Sequence, residues 1–157
     1  MPQLVDKSIR ELRITIGGLI AGVVCFAALA YALKGSVALF EGLPRAEALL
    51  AGLALVSVGS AVGYLAQYRK MVGEVRGRAA EMRQASEPLE VVVAAYRPFA
   101  IIGGGLIEGP SFAALVVYMA TRSPIALATA GVGIALLVLH MPSRERLEAL
   151  AGRGTRL

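Results

Sequence analysis

Tryptophan is missing from this chain, and cysteine and histidine occur once each, at Cys25 and His140. One cysteine excludes an internal disulfide framework. A lone His and a lone Cys, in different apolar runs, leave no ligand cluster for a zinc or iron centre, so no metal site is expected. Without tryptophan there is no Trp belt to mark the edges of a bilayer, and spans must be read from hydropathy and charge. Charge is scarce too: 17% of the 157 residues are charged and 57% are apolar, against roughly a quarter and about half in a globular chain. That balance excludes an ordinary water-soluble domain and points to a membrane protein.

Four apolar runs stand out, at 14–33, 48–67, 91–120 and 124–140. Each is close to or above the ~20 residues that a helix needs to cross ~30 Å of hydrocarbon. The expected fold is therefore an all-α integral membrane protein, one four-helix transmembrane domain over 1–157, with a polar loop at 68–90 and an amphipathic tail at 143–152. The first run is too long for a signal peptide's apolar region of ~7–15 residues and reads as a retained span.

Basic residues set the expected orientation. The N-terminal segment, the 68–90 loop and the C-terminal tail together carry twelve Lys and Arg, whereas the two opposite connections carry three, Lys34, Arg45 and Arg122. Both termini are thus expected on the cytoplasmic side. The net charge of +5 reports topology and contact with anionic lipid, and gives no reason to expect nucleic acid as a partner.

The connections carry patterns of their own. Leu4, Val5, Ile9 and Leu12 share a helical face opposite Asp6, Lys7, Arg10 and Glu11, which predicts a short helix lying in the interface. Residues 68–83 are rich in helix formers, and Ser86-Glu87-Pro88 reads as a cap with proline in the first turn, so spans two and three are expected to project from the membrane as helices. In the tail, Ser143 is a candidate cap, Leu147 and Leu150 share a face, and Gly152 is the expected end.

A repeat runs through the apolar sequence. GGLIAG at 17–22 returns as GGLIEG at 104–109, and FAAL at 26–29 returns as FAAL at 112–115, which suggests a duplicated two-span hairpin. Gly18 and Gly22, Gly59 and Gly63, and Gly105 and Gly109 are spaced i, i+4, the pattern that lets membrane helices approach closely.

The second copy holds Glu108 where the first holds Ala21. An ionised carboxylate midway along a span costs several kcal/mol even on the lenient insertion scale. No Lys or Arg lies centrally in any span. Glu108 must therefore be neutral, paired, or hydrogen-bonded inside a bundle, and without a counter-charge the protonated acid is favoured. Pro110 withdraws its N–H, frees the carbonyl of Leu106 and predicts a kink. Ser111 on the same helix and Ser57 or Ser60 in span two can add hydroxyls. Three uses fit such an acid: a cation or proton site, a packing hydrogen bond, or contact with a lipid headgroup or quinone. His140 reads as an interfacial residue, and Cys25 as a small core residue. No nucleophile has a base nearby, and Gly103 to Gly105 sit inside an apolar run where no nucleotide loop fits, so no enzyme and no organic cofactor is expected.

The stretch EGPSFAALVV at 108–117 resembles the carboxylate helix of rotary ATPase c subunits, the proteolipids, and the run containing Gly52, Gly59 and Gly63 is similar to the small-residue helix that precedes it. The resemblance implies a homo-oligomeric ring in which Glu108 binds H⁺ or Na⁺, with Ser111, Ser57 and Ser60 as candidate neighbours and Pro110 among the packing positions. Residues 106–121 and 142–147 also resemble small, uncharacterised four-span bacterial membrane proteins, which implies a bacterial inner membrane. The alternative is an accessory or scaffold subunit of a larger membrane complex, with Glu108 a protonated packing residue.

Overall fold

The computed structural model describes residues 2–33, 46–78 and 88–155. Five helices are described: α1 (Pro2–Ala32), α2 (Ala46–Gly77), α3 (Pro88–Thr121), α4 (Pro124–His140) and α5 (Arg144–Thr155), with no strand among the described residues. The all-α architecture is as expected. Helices α1, α2 and α3 are each long and apolar enough to cross a membrane, and α4 joined to α5 across a 63° bend makes a fourth candidate.

α3 is the axis. α1, α2, α4 and α5 all pack against it, whereas α1 and α2 scarcely touch one another. The sequence repeat is thus not a repeat of packing, because the α3–α4 hairpin is closely paired and the α1–α2 hairpin is open.

The N-terminal segment does not form a separate interfacial helix. Val5, Ile9, Leu12, Ile16, Val23 and Ala30 are all buried, and their spacing of three, four or seven is one stripe that runs unbroken from the amphipathic segment into the apolar run. No Gly or Pro interrupts 5–16, so nothing stops the helix at the expected boundary. At 31 residues, α1 is about 46 Å long, well over the ~30 Å hydrocarbon thickness. α2 likewise continues to Gly77 and α3 begins at Pro88, as expected for helices that project beyond the spans; Ser86 and Glu87 lie outside the described residues. Pro98 and Pro110 both sit within a single α3 helix. α4, with 17 residues, is about 25 Å and falls short of the bilayer on its own. Ser143 caps α5 through a 3.3 Å bond from the Arg146 N–H to its Oγ, but the helix passes Gly152 and ends at Thr155.

The core divides in two. At the basic end, Val5, Ile9, Met71, Val75, Val92, Val93, Phe99 and Leu147 form one cluster. Where such side chains leave water, each contributes roughly 1.5–3 kcal/mol. The second cluster, around Val23, Ala114, Leu115, Ala126, Ala130 and Leu137, lies within the apolar runs; inside a bilayer, only close packing would favour its association. Outward-facing Leu55, Val58, Val62 and Leu65 leave one side of α2 fully apolar.

The close approaches use other glycines than the i, i+4 pairs. A Cβ on Gly104 would lie 2.9 Å from both Ile16 Cδ1 and Leu19 Cδ1, and one on Gly133 would collide with the Ser111 side chain. Of the expected pairs, Gly22 and Gly63 meet neighbours, at 3.8 and 3.4 Å, whereas Gly18, Gly59, Gly105 and Gly109 meet nothing within 4 Å. The periodicity is real, but the seams that consume it are set by where α3 turns each residue. Gly133→Ala should therefore lower stability by about 1–3 kcal/mol through overpacking, while Gly131→Ala, which meets nothing within 4 Å, should be neutral or gain up to about 1 kcal/mol of helix propensity. Thermal unfolding of both variants in detergent tests this pair, and equal melting temperatures would contradict it.

Candidate functional site

Glu108 stands half-buried on the side of α3 that faces α1. Its Oε1 lies 3.8 Å from where a Cβ on Gly22 would sit, and Phe112 Cζ lies at the same distance. One turn further on, Phe26 and Phe112 meet edge to face at 5.3 Å. The carboxylate thus lies in the α1–α3 seam beside Gly22, where a Cβ would still meet it only at ordinary van der Waals distance. Among the described residues no hydrogen-bond donor or cation meets it. The ion pairs, Arg97–Glu11 at 3.8 Å, Arg144–Asp6 at 3.1 Å and Arg144–Glu148 at 2.7 Å, all belong to the basic end. They are exposed and individually worth under about 1 kcal/mol.

The three serines expected near Glu108 sit together but elsewhere. Ser57, Ser60 and Ser111 line a cavity of about 440 Å³ between α2, α3 and α4, with Pro110, Thr129 and Gly133. Glu108 does not line it. Ser111 is buried and donates to the Ile107 carbonyl at 2.8 Å, and Ser57 donates to the Leu53 carbonyl at 2.8 Å. Glu108 and Ser111 share a helix but face different seams, one toward Gly22 of α1 and the other toward Gly133 of α4.

His140, expected at the interface, is instead one of the most enclosed polar residues, 5% exposed. Its Nε2 lies 3.0 Å from the Ala100 carbonyl oxygen and its Nδ1 lies 3.1 Å from Tyr64 Oη. A carbonyl can only accept, so Nε2 carries the proton and donates. In the neutral ring Nδ1 is then the acceptor, and the Tyr64 hydroxyl donates to it. Phe99 meets the ring edge to face at 5.1 Å and Tyr64 at 5.6 Å. Gly103 makes the room: a Cβ there would lie 3.0 Å from His140 Cε1 and 3.2 Å from Tyr64 Cε2. One imidazole therefore locks α2, α3 and α4 together.

The turn around it is completed by side chains. Orphan carbonyls at the end of α4 are met by Arg146, which donates to Leu139, and by the Tyr96 hydroxyl, 3.4 Å from the His140 carbonyl. Arg13 Nε donates to the Pro142 carbonyl at 2.9 Å, fastening α1 to the same turn. The sequence signal that could have found this site was Gly103, Tyr64 and Tyr96 near an apolar helix end carrying the sole histidine; no local spacing links them. Cys25, expected in the core, is exposed, since its position in α1 faces away from the stripe buried on α3.

Tyr64→Phe should cost about 1–3 kcal/mol, because it strips a buried acceptor of its donor, and combining it with His140→Phe should show a coupling of at least ~0.5 kcal/mol in a double-mutant cycle. Nitrogen NMR of imidazole-labelled protein should find Nε2 protonated and Nδ1 bare. Additive variants, or a proton on Nδ1 alone, would contradict this arrangement.

Compared with known proteins, the chain finds no match among family models, curated proteins or solved structures.

Proposed function

We propose that the chain is a multi-pass membrane protein, with both termini on the cytoplasmic side of a bacterial inner membrane, that assembles with copies of itself and binds H⁺ or Na⁺ at Glu108. The observation that carries the reading is the setting of that carboxylate. It stands midway along α3 in a glycine-lined seam, half-buried, with no basic partner among the described residues. An acid so placed is held neutral by a proton or neutralised by a cation that arrives from outside the bundle. Beside it, Gly105 and Gly109 are exposed and meet nothing within 4 Å. A neighbouring copy that closed over this strip would bring backbone and carboxylate together, as the likeness of 108–117 to c-subunit helices implies. Ser57, Ser60 and Ser111 face a different seam, so in this reading the remaining ligands come from water, from free carbonyls such as that of Leu106, or from the neighbouring copy.

The second reading is an accessory or scaffold subunit, with Glu108 a protonated packing residue. It is favoured by the basic end, where the extensions of α1, α2 and α3 and the helix α5 build a packed cluster of their own around the buried Val75, Val92 and Leu147, a folded unit that carries exposed Arg69, Lys70 and Arg76 for a partner subunit to meet.

Carbodiimide reacts with a protonated carboxyl, so in the first reading labelling of Glu108 should rise as pH falls and decrease when Na⁺ competes for the site. Glu108→Gln should remove labelling altogether. Labelling that ignores both pH and Na⁺ would exclude exchange at this residue and leave the packing role.

A further inference from the structure

The 440 Å³ cavity between α2, α3 and α4 is within the range of small-molecule sites, and most of its polar atoms have an unusual property in common. Of the five hydroxyls along its wall, Ser60 keeps its proton for the cavity, and the other four spend theirs inside the protein. Ser57 donates to the Leu53 carbonyl at 2.8 Å, Ser111 to the Ile107 carbonyl at 2.8 Å and Thr129 to the Ile125 carbonyl at 2.9 Å. With Nε2 of the neutral ring donating to Ala100, the Tyr64 proton goes to His140 Nδ1. What these groups keep for the cavity is oxygen lone pairs, since a hydroxyl has one proton to give and two lone pairs to accept with. No Asp, Glu, Lys or Arg lines the space. The remaining wall is hydrocarbon, and Leu65, Val132, Leu136 and Leu139 at its rim are outward-facing and apolar.

We propose that this cavity binds a neutral, membrane-dissolved molecule with an apolar body and a single hydroxyl donor, an aliphatic alcohol or a phenol. A pocket with many acceptors, one donor at Ser60 and no charge selects against both of the obvious alternatives. An ammonium would enter with no carboxylate to neutralise it, and a plain acyl chain would leave the hydroxyl oxygens no better satisfied than before. A neutral O–H matches the lining and carries no uncompensated charge into the bilayer. The apolar rim gives it an entrance from the lipid side. Glu108 lies on the opposite seam, so the site is independent of the ion-binding reading, although both rest on the chain spanning a membrane.

The test uses the full chain in lipid nanodiscs and a long-chain alcohol carrying a mid-chain diazirine as the photoprobe. Cross-links should concentrate on residues 57–65, 106–111 and 129–140. Unlabelled dodecanol should compete about fivefold better than dodecyl methyl ether, which keeps the chain but lacks the donor. Ala61→Trp, which places a large ring at the cavity wall, should abolish the focused labelling, and Ser57→Ala, which removes a hydroxyl whose proton is already given to the Leu53 carbonyl, should narrow the preference for alcohol over ether. Glu108→Gln should leave all of this unchanged. Equal competition by alcohol and ether would make the cavity an acyl-chain slot and overturn the proposal. Cross-links spread over the outward faces of every helix would overturn it as well.

Discussion

Everything in this bundle depends on how close other helices can come to α3. Three successive glycines, Gly103, Gly104 and Gly105, turn about 100° each around that helix and so present bare backbone in three directions. The first receives the His140 ring and Tyr64, the second receives Ile16 and Leu19 of α1, and the third is open. Between helices this apolar, close backbone approach and dispersion favour association. α3 supplies both.

The same constraint explains the position of the polar groups. The imidazole can hydrogen-bond the Ala100 carbonyl because Gly103 lets it lie against the helix, and Glu108 lies in the α1 seam beside Gly22 at ordinary contact distance. Two polar features, the buried His140 and the half-buried Glu108, thus sit on two sides of one helix. One is satisfied within the chain, with donor and acceptor on both ring nitrogens. The other has no such partner among the described residues. A satisfied histidine rigidifies; in the proposed function the carboxylate, lacking an internal partner, is the group that exchanges with its surroundings.

Much of the fold was legible because hydropathy and helical period are local properties. The apolar runs, the projecting ends of α2 and α3, and the cap at Ser143 all follow from composition within a few turns. The N-terminal segment forms part of α1 and no separate interfacial helix, because the stripe through Val5, Ile9, Leu12 and Ile16 continues without a break into the first apolar run. The site was less legible, because a rotation of one residue about α3 decides which seam a side chain enters. Glu108 and Ser111 are neighbours in sequence, yet α1 faces one and α4 the other. His140 looked interfacial from its place at an apolar run's end, and only the tertiary approach of Tyr64 and Gly103, distant in sequence, encloses it. Nothing in a period of three or four residues encodes that approach.

Whether Glu108 stands at a contact between copies is the point on which the functional account turns. Single-particle imaging of the full chain purified in mild detergent addresses it through particle mass and projected shape. A closed assembly of many copies, with the exposed Gly105 and Gly109 strip at the repeated contact, is the result the account predicts. A uniform population of single chains would contradict it.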